Sequence, residues 1–411
     1  MRVLFLHQNY PGQFLRLAAA LARDPVFDVA GLGDGNNRSE RGRPFAYPVF
    51  AYKARPAGKS GAHHYLSSFE AAIRRGQDVL RSLQQIRRNG FVPDLVFGHP
   101  GWGEMLFVRD VFPAARQIAY FEYFYRADGG DLGFDPEYPL HADIRYKLRI
   151  RNSTQLHALA ECDAGVSPTE WQRSTYPSQE QPRIRVIHEG INHEQARPDA
   201  DAVFVLADGR KLTRADTVIT YVSRKLEPYR GFHVFMRALP ELQRRLPRAQ
   251  FVIVGADGVS YGRPAPAPHK TYRDMLLAEV GGELDMARTH FAGHQPYAGF
   301  LSLLQISRLH VYLTYPFVLS WSMLEAMACG APLLASSTAP VREVIRDGEN
   351  GYLFGFFDRQ QLVDRAVSII GQPDERTAAI RKAARHEIES RYTFTAQSLP
   401  AYRQLIEDVM S

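Results

Sequence analysis

The chain has 411 residues, 45% hydrophobic and 23% charged, a size suited to two domains and a composition that excludes a disordered or fibrous protein. Its net charge of +6 is spread evenly: residues 1–200 carry 25 Lys+Arg against 22 Asp+Glu, and the remainder carries the same numbers, so no basic half marks a nucleic-acid binder. No apolar run reaches the ~18–20 residues of a membrane span, and the two isolated cysteines, Cys162 and Cys329, form no disulfide framework or zinc spacing and read as reduced core residues of a cytoplasmic protein.

The chain opens on "RVLFL" (2–6), which reads as a buried strand because a signal peptide needs a longer apolar core. A Gly/Pro loop and a helix over about 13–22 follow. Gly12 in that loop permits close backbone approach, either to a phosphate or sugar or simply within a turn. A long helix ends in "LQQIRRNG", and strands are expected at Leu95–Gly98, Ile118–Phe121, Ala164–Val166 and Arg185–Ile187. "FGHPGWGE" (97–104) puts His99 at a strand's carboxyl end, where its ring either meets a sugar hydroxyl or bonds a loop carbonyl. Glu104 is expected in the first turn of the next helix.

Residues 123–143, "YFYRADGGDLGFDPEYPLHAD", are too long for a simple connector and read as an acceptor-binding lid, with Glu122, Tyr123 and Tyr125 on the acceptor side. The stretches 73–90 and 143–156 are basic and partly apolar; such helices lie on anionic lipid or are solvated faces. The strand–helix alternation breaks in the polar segment 190–217, so a linker is placed at 196–214 between a domain over 1–195 and one over 215–391, with the C-terminal helix 392–411 packing back on the first.

The pattern then restarts, with strands at 218–222, 251–255, 290–291, 309–313 and 333–335 and helices at 232–245, from about 298 and around Glu325. A second long loop spans 255–274. Strands alternating with helices imply α/β domains with parallel sheets, whose ligands sit at the strands' carboxyl ends. In "SRKLEPYRGF" (223–232), Arg224 and Arg230 stand six residues apart after a strand and before Gly231 opens a helix. Two cations and a helix N-terminus there make either a pyrophosphate site or two solvated arginines. Glu325, in "LSWSMLEAMACG", closes a capping box with Ser322 or, if the helix starts at Leu319 or Ser320, lies in its second turn as an acceptor for both ribose hydroxyls. Free amides near Trp321 and Ser322 would then meet phosphate. No Gly-x-Gly-x-x-Gly opens either domain, which argues against a dehydrogenase.

Five stretches in order, "FGHPGWGE", "RIRVIHEGINHEQARPD", "SRKLEPYRGF", "LEAMACGAPLLAS" and "PVREVIRDGENGYLF", resemble the retaining glycosyltransferases of family 4, nearly along the whole chain and most strongly over 217–355. The resemblance implies the GT-B fold, two Rossmann-like parallel-sheet domains facing across a cleft, and transfer of a sugar from a nucleoside diphosphate sugar to a hydroxyl acceptor in bacterial polysaccharide, glycolipid or other glycoconjugate biosynthesis. It implies that Arg224 and Arg230 grip the diphosphate, His99 touches the donor sugar, Glu325 binds ribose and Gly12 approaches sugar or phosphate. Backbone groups of Val318, Leu319, Ser320, Trp321 and Ser322 would hold hydroxyls and phosphate, and those around Gly255 and Gly293 the base. One position departs: Phe317 stands where the family has a glutamate that contacts the donor sugar, so the sugar is less polar there or backbone groups replace the acid. A UDP-sugar donor is favoured and no metal is expected, because "DAD" (199–201) lies in the linker and arginines supply the positive charge. The acceptor is a glycan, a lipid-linked compound or a small molecule, with peripheral membrane contact open and no nucleic acid. The rival readings are a nucleotide-sugar or glycan-binding protein without turnover and a nucleotide-sugar epimerase.

Overall fold

The computed structural model describes residues 1–37, 45–55, 61, 63–141 and 143–411. The chain divides into two compact units, Met1–Gly190 with Phe394–Ser411, and Ile191–Thr393.

The first unit is built on seven strands: β1 (Arg2–Leu6), β2 (Asp28–Asp34), β3 (Val49–Tyr52), β4 (Leu95–Gly98), β5 (Arg116–Tyr120), β6 (Ala164–Ser167) and β7 (Ile184–Val186). All neighbours run parallel, in the order β3-β2-β1-β4-β5-β6-β7. A parallel sheet is covered on both faces, so its strands are apolar throughout. Val3 and Phe5 face a layer containing Leu17 and Leu21 from the helix Leu15–Leu21 and Tyr402, Leu405 and Ile406 from the helix Leu399–Met410. Leu4 and Leu6 face Val79, Leu83 and Ile86 of the helix Ser67–Arg88. The C-terminal segment is thus part of this unit; Tyr402 donates to the Ile187 carbonyl at 3.3 Å.

Sequence periodicity does not reveal β2 and β3. Their residues include Gly31 and Gly33, poor strand formers in isolation. The structure supplies the reason for them: a Cβ on Gly31 would lie 2.2 Å from the Tyr10 ring, and one on Gly33 2.4 Å from the Tyr10 Cβ.

The second unit has six parallel strands, β10 (Val218–Lys225), β11 (Gln250–Ala256), β12 (Thr289–Gly293), β13 (Leu309–Tyr312), β14 (Leu333–Ser336) and β15 (Tyr352–Phe354), ordered β12-β11-β10-β13-β14-β15. Before them stands a two-stranded antiparallel hairpin, β8 (Phe204–Val205) and β9 (Lys211–Leu212). Residues 196–214, expected as a linker, therefore lie inside this unit, and the division falls at Gly190–Ile191. The physical reason is burial: Ala202, Phe204, Leu206 and Leu212 pack on Val218, Val252 and Leu303.

In each sheet the chain lays strands outward on one side of its first parallel strand and then returns to the other side, so the order reverses between β1 and β4 and between β10 and β13. A crevice opens at the carboxyl ends of strands at such a reversal, where open α/β sheets bind ligands. The loops after β1 and β4, and after β10 and β13, are thus the first places to look for a site. Cys162 and Cys329 are free and buried, and burial pushes their thiols up to about 11 and about 12. Among the described residues no helix is long and apolar enough to cross a membrane.

Candidate functional site

In the second unit, β10 shifts register after Val222 and runs on to pair Lys225 with Ala256. The turn Pro228–Arg230 and Gly231 follow; Gly231 has φ +65°, and a Cβ there would sit 2.3 Å from Leu313, so only glycine lets the helix Phe232–Arg245 start this close to β13. Arg230 Nη1 donates to Thr314 Oγ1 at 2.8 Å and to the Val318 carbonyl at 3.0 Å. Its own carbonyl accepts from the Tyr221 hydroxyl at 2.7 Å. Arg230 thereby ties the end of β10 to the segment after β13, across the strand-order reversal. Arg224 is exposed, and its side chain makes no hydrogen bond or ion pair among the described residues. Lys225, a third cation that sequence reasoning passed over, donates to the Asp257 carbonyl at 2.8 Å.

Glu227 was also missed, although an acid inside this basic loop is the signal that could have found it. Its side chain is buried, and its carboxylate accepts the backbone N–H groups of Ser260 (3.0 Å), Tyr261 (3.3 Å) and Gly262 (2.9 Å). That grip holds the long loop 255–274, which ends earlier than expected: Thr271 caps the helix Tyr272–Val280. The held loop brings the Tyr261 ring 4.9 Å from Phe317 and 5.7 Å from the Arg230 guanidinium carbon.

Phe317 is only 3% exposed and also meets Tyr229, at 5.6 Å edge-on. Where a glutamate was expected, the structure has an aromatic cluster. The helix Trp321–Ala328 starts at Ser320, whose hydroxyl accepts from the Ser322 N–H at 3.3 Å, so the capping box from Ser322 to Glu325 does not form. Glu325 lies in the second turn, 5% exposed, and accepts from the Tyr297 hydroxyl at 2.9 Å. The backbone amides expected to face ligand divide: Ser320 donates to the Tyr312 hydroxyl and Ser322 to Ser320, whereas those of Val318 and Leu319 have no acceptor among the described residues. Gly255 and Gly293 differ in the same way. A Cβ on Gly255 would meet Leu226 at 2.7 Å, so protein fills its space; Gly293, at φ +63° at the end of β12, has open space around it.

In the first unit, the reversal between β1 and β4 carries two histidines. His99 follows β4, is buried, and stacks on Trp102 with ring centroids 4.2 Å apart. Its Nδ1 accepts the Gly101 N–H at 3.1 Å. Its Nε2 lies 3.4 Å from Glu122 Oε2 and has no hydrogen-bond partner among the described residues. The second oxygen of Glu122 accepts from Gln13 at 2.6 Å. His7 follows β1 and meets His99 edge-on at 5.3 Å. Burial first, and the neighbouring His99 second, lower its ring from 6.5 to about 3, so it is neutral at physiological pH. A Cβ on Gly12 would collide with this ring at 2.3 Å, so packing against His7 accounts for the missing side chain of Gly12. Glu104 turns inward, accepting from Tyr52 at 2.7 Å, and does not serve the following helix.

Glu122, Tyr123 and Tyr125 join His99 around one cavity of about 480 Å³, within the ~300–1,000 Å³ of small-molecule sites. The Tyr123 hydroxyl is held by Asp131 at 3.1 Å, and the Tyr125 ring lies under the Arg151 guanidinium at 3.7 Å.

Two Rossmann-like units, each with polar and charged groups gathered where its strand order reverses, define an α/β protein with a candidate ligand site at the carboxyl ends of each sheet. Residues 33–196 match the glycosyl transferase family 4 group and residues 208–387 the glycosyl transferases group 1, together covering most of the chain, which belongs to this glycosyltransferase family. A D-inositol 3-phosphate glycosyltransferase of Rhodococcus jostii is 27% identical over 53% of this chain and 46% of that protein. A GDP-mannose-dependent alpha-(1-6)-phosphatidylinositol monomannoside mannosyltransferase of Mycolicibacterium smegmatis is 24% identical over 55% of this chain and 57% of its own length. The chain spans about half the length of the relatives it matches. Solved structures share the fold end to end: Anabaena HepE, in complex with UDP and glucose, at TM-score 0.70 and 17% identity over 99% of this chain and 100% of that one. Sucrose-phosphate synthase of Thermosynechococcus elongatus, at TM-score 0.74 and 17% identity, has the same coverage.

Proposed function

We propose that the protein is a retaining glycosyltransferase that moves a sugar from a nucleoside diphosphate sugar to a hydroxyl acceptor. The observation that carries this reading is the pair of arginines at the end of β10 and in the turn that follows it: Arg230, anchored across the strand-order reversal by Thr314 and Val318, and Arg224, whose side chain has no hydrogen-bond or ion-pair partner among the described residues. An exposed, uncompensated cation beside an anchored one at the carboxyl end of a sheet suits a diphosphate. The free amides of Val318 and Leu319 add donors in the same segment. Glu325, oriented by Tyr297, is the acceptor for ribose hydroxyls.

The chemistry needs positive charge where the leaving group becomes anionic. The bond from the anomeric carbon to the diphosphate oxygen breaks, and a bond to the acceptor oxygen forms on the same face. The acceptor's proton passes to the departing phosphate oxygen, so no separate catalytic carboxylate is required. Arg224 and Arg230 stabilise the diphosphate. In the first unit His99, held by stacking on Trp102 and by the Gly101 N–H at Nδ1, offers its Nε2 to a sugar hydroxyl. Because guanidinium groups supply the charge, activity is expected to persist in EDTA.

UDP is the proposed donor nucleotide, supported by the fold shared with HepE, which was solved with UDP and with UDP-glucose. Thermal-shift screening of UDP-, GDP- and dTDP-sugars identifies the donor, and NMR of the product's anomeric signal reads the stereochemistry. Retained configuration supports the proposal; inversion, or free epimerised donor without acceptor transfer, overturns it. A second reading, donor binding without turnover, rests on Phe317, which places a buried ring where a sugar-binding acid was expected. It predicts donor-induced stabilisation with no release of nucleoside diphosphate.

A further inference from the structure

The cavity of the first unit has an uneven charge balance. Three permanent cations, Arg75, Lys147 and Arg151, line it against a single carboxylate, Glu122. Glu122 is already engaged by Gln13 and lies beside His99. Arg75 donates to the Trp102 carbonyl at 2.8 Å and has the buried Glu104 at 3.7 Å. Lys147 and Arg151 have no such compensation. The Lys147 side chain is half-buried and makes no hydrogen bond or ion pair among the described residues. Among the described residues the Arg151 guanidinium meets the ring and hydroxyl of Tyr125, the latter at 2.8 Å, and no carboxylate. The acids on neighbouring segments are committed elsewhere: Asp128 pairs twice with Arg145, Asp143 is taken by His64 and Tyr65, and Asp131 by Tyr123.

An ammonium withdrawn from bulk water with no counter-charge is unfavourable unless a ligand supplies one. A guanidinium fork beside a lysine suits the oxygens of a phosphate. The remaining walls, Trp102, Leu132, Ile144 and Leu148 among them, are apolar and fit the face of a sugar or polyol ring or the start of an alkyl chain. Both cations come from one short helix, Ile144–Arg151, and His99 with Glu122 lies elsewhere on the same lining.

We propose that this cavity is the acceptor subsite, and that the acceptor is a hydroxyl compound carrying a phosphate group held by Lys147 and Arg151, with a hydroxyl offered to His99 and Glu122. The inference rests on the glycosyltransferase reading for what the bound molecule is used for, but the phosphate selectivity stands without it. The phosphate belongs either to a soluble ester or to a lipid headgroup.

The test uses the full chain and matched probes. Calorimetry compares glucose with glucose 6-phosphate and glycerol with glycerol 3-phosphate. Vesicle sedimentation compares phosphatidylcholine containing phosphatidylglycerol with phosphatidylcholine containing diacylglycerol. The expected result is at least tenfold tighter binding of the phosphate-bearing member in one arm. The soluble esters winning identifies a free phosphate, and the vesicles winning a lipid headgroup. The Lys147→Ala/Arg151→Ala variant, with an unchanged melting temperature, is expected to cut that preference below threefold, and Lys147→Arg/Arg151→Lys to keep it. Equal binding of charged and neutral members in both arms, or a preference that survives in the alanine variant, overturns the proposal. Failure of the transferase reading shows differently: phosphate selectivity persists, while no nucleoside diphosphate is released with any donor and acceptor.

Discussion

Replacing Arg224 with alanine separates catalysis from folding in a single variant. The side chain is exposed and makes no hydrogen bond or ion pair with a described group, so its removal changes unfolding free energy by no more than about 0.5 kcal/mol. If it faces the departing diphosphate, the cost appears only in the reaction. A unit charge about 4 Å from a phosphate charge, at an effective dielectric near 20, interacts by about 4 kcal/mol. That corresponds to roughly a thousandfold in rate, the upper end of the ~10²–10³ lost when one preorganised group is removed. Turnover is read as nucleoside diphosphate release at saturating donor, alongside a thermal melt. The expected outcome is an unchanged melting temperature and a kcat reduced at least a hundredfold, with part of the loss recovered in Arg224→Lys, which keeps the charge without the fork. Turnover within threefold of the parent would show Arg224 to be an ordinary solvated side chain and refute the diphosphate assignment. Arg230→Ala behaves differently, because it also breaks bonds to Thr314 and Val318 and lowers stability together with rate.

Three further outcomes follow from other parts of the molecule. Glu227→Ala strands the N–H groups of Ser260, Tyr261 and Gly262, so urea denaturation is expected to show a loss of about 2–4 kcal/mol, with faster proteolysis in the 255–274 loop; unchanged stability would mean that the carboxylate does not hold the loop. Glu325→Ala is expected to weaken UDP binding about 10–100-fold by calorimetry, the equivalent of losing one charged hydrogen bond or a little more, and Tyr297→Phe to weaken it less; unaltered affinity in Glu325→Ala removes the ribose role. Burial lowers His310, like His7, from 6.5 to about 3, so below pH 6.5 the unfolded chain takes up protons that the folded one refuses until near pH 3. Stability is therefore lost as pH falls through that window, by about 2 kcal/mol per histidine at pH 5, and a flat unfolding free energy between pH 7 and 5 contradicts it.

Much of the architecture is legible in local pattern. The strands at 2–6, 95–98 and 251–255 are short β-branched or aromatic runs bounded by polar or turn residues, and the helix 232–245 shows an amphipathic period opened by Gly231. "SRKLEPYRGF" and "LEAMACGAPLLAS" carry the family resemblance because their chemistry is concentrated in consecutive residues. The cationic pair, Glu325 and His99 could be named for that reason.

What stayed hidden depends on partners distant in the chain. β2 reads as weak because its glycines yield to Tyr10, about twenty residues earlier, a contact that no local propensity encodes. Residues 196–214 look like a linker until Phe204 and Leu212 are seen buried against β10 and β11. Glu227 looks like one more surface acid until its carboxylate meets amides more than thirty residues on. The same holds for the subsite of the first unit: that Lys147 and Arg151 are uncompensated follows only from seeing Asp128, Asp131 and Asp143 each taken by another group. Side-chain type and spacing set which chemistry the chain carries. Strand order, which brings the loops after β1 and β4, and after β10 and β13, to neighbouring positions, set where that chemistry gathers, because pairing between remote strands is decided by packing and not by any local period.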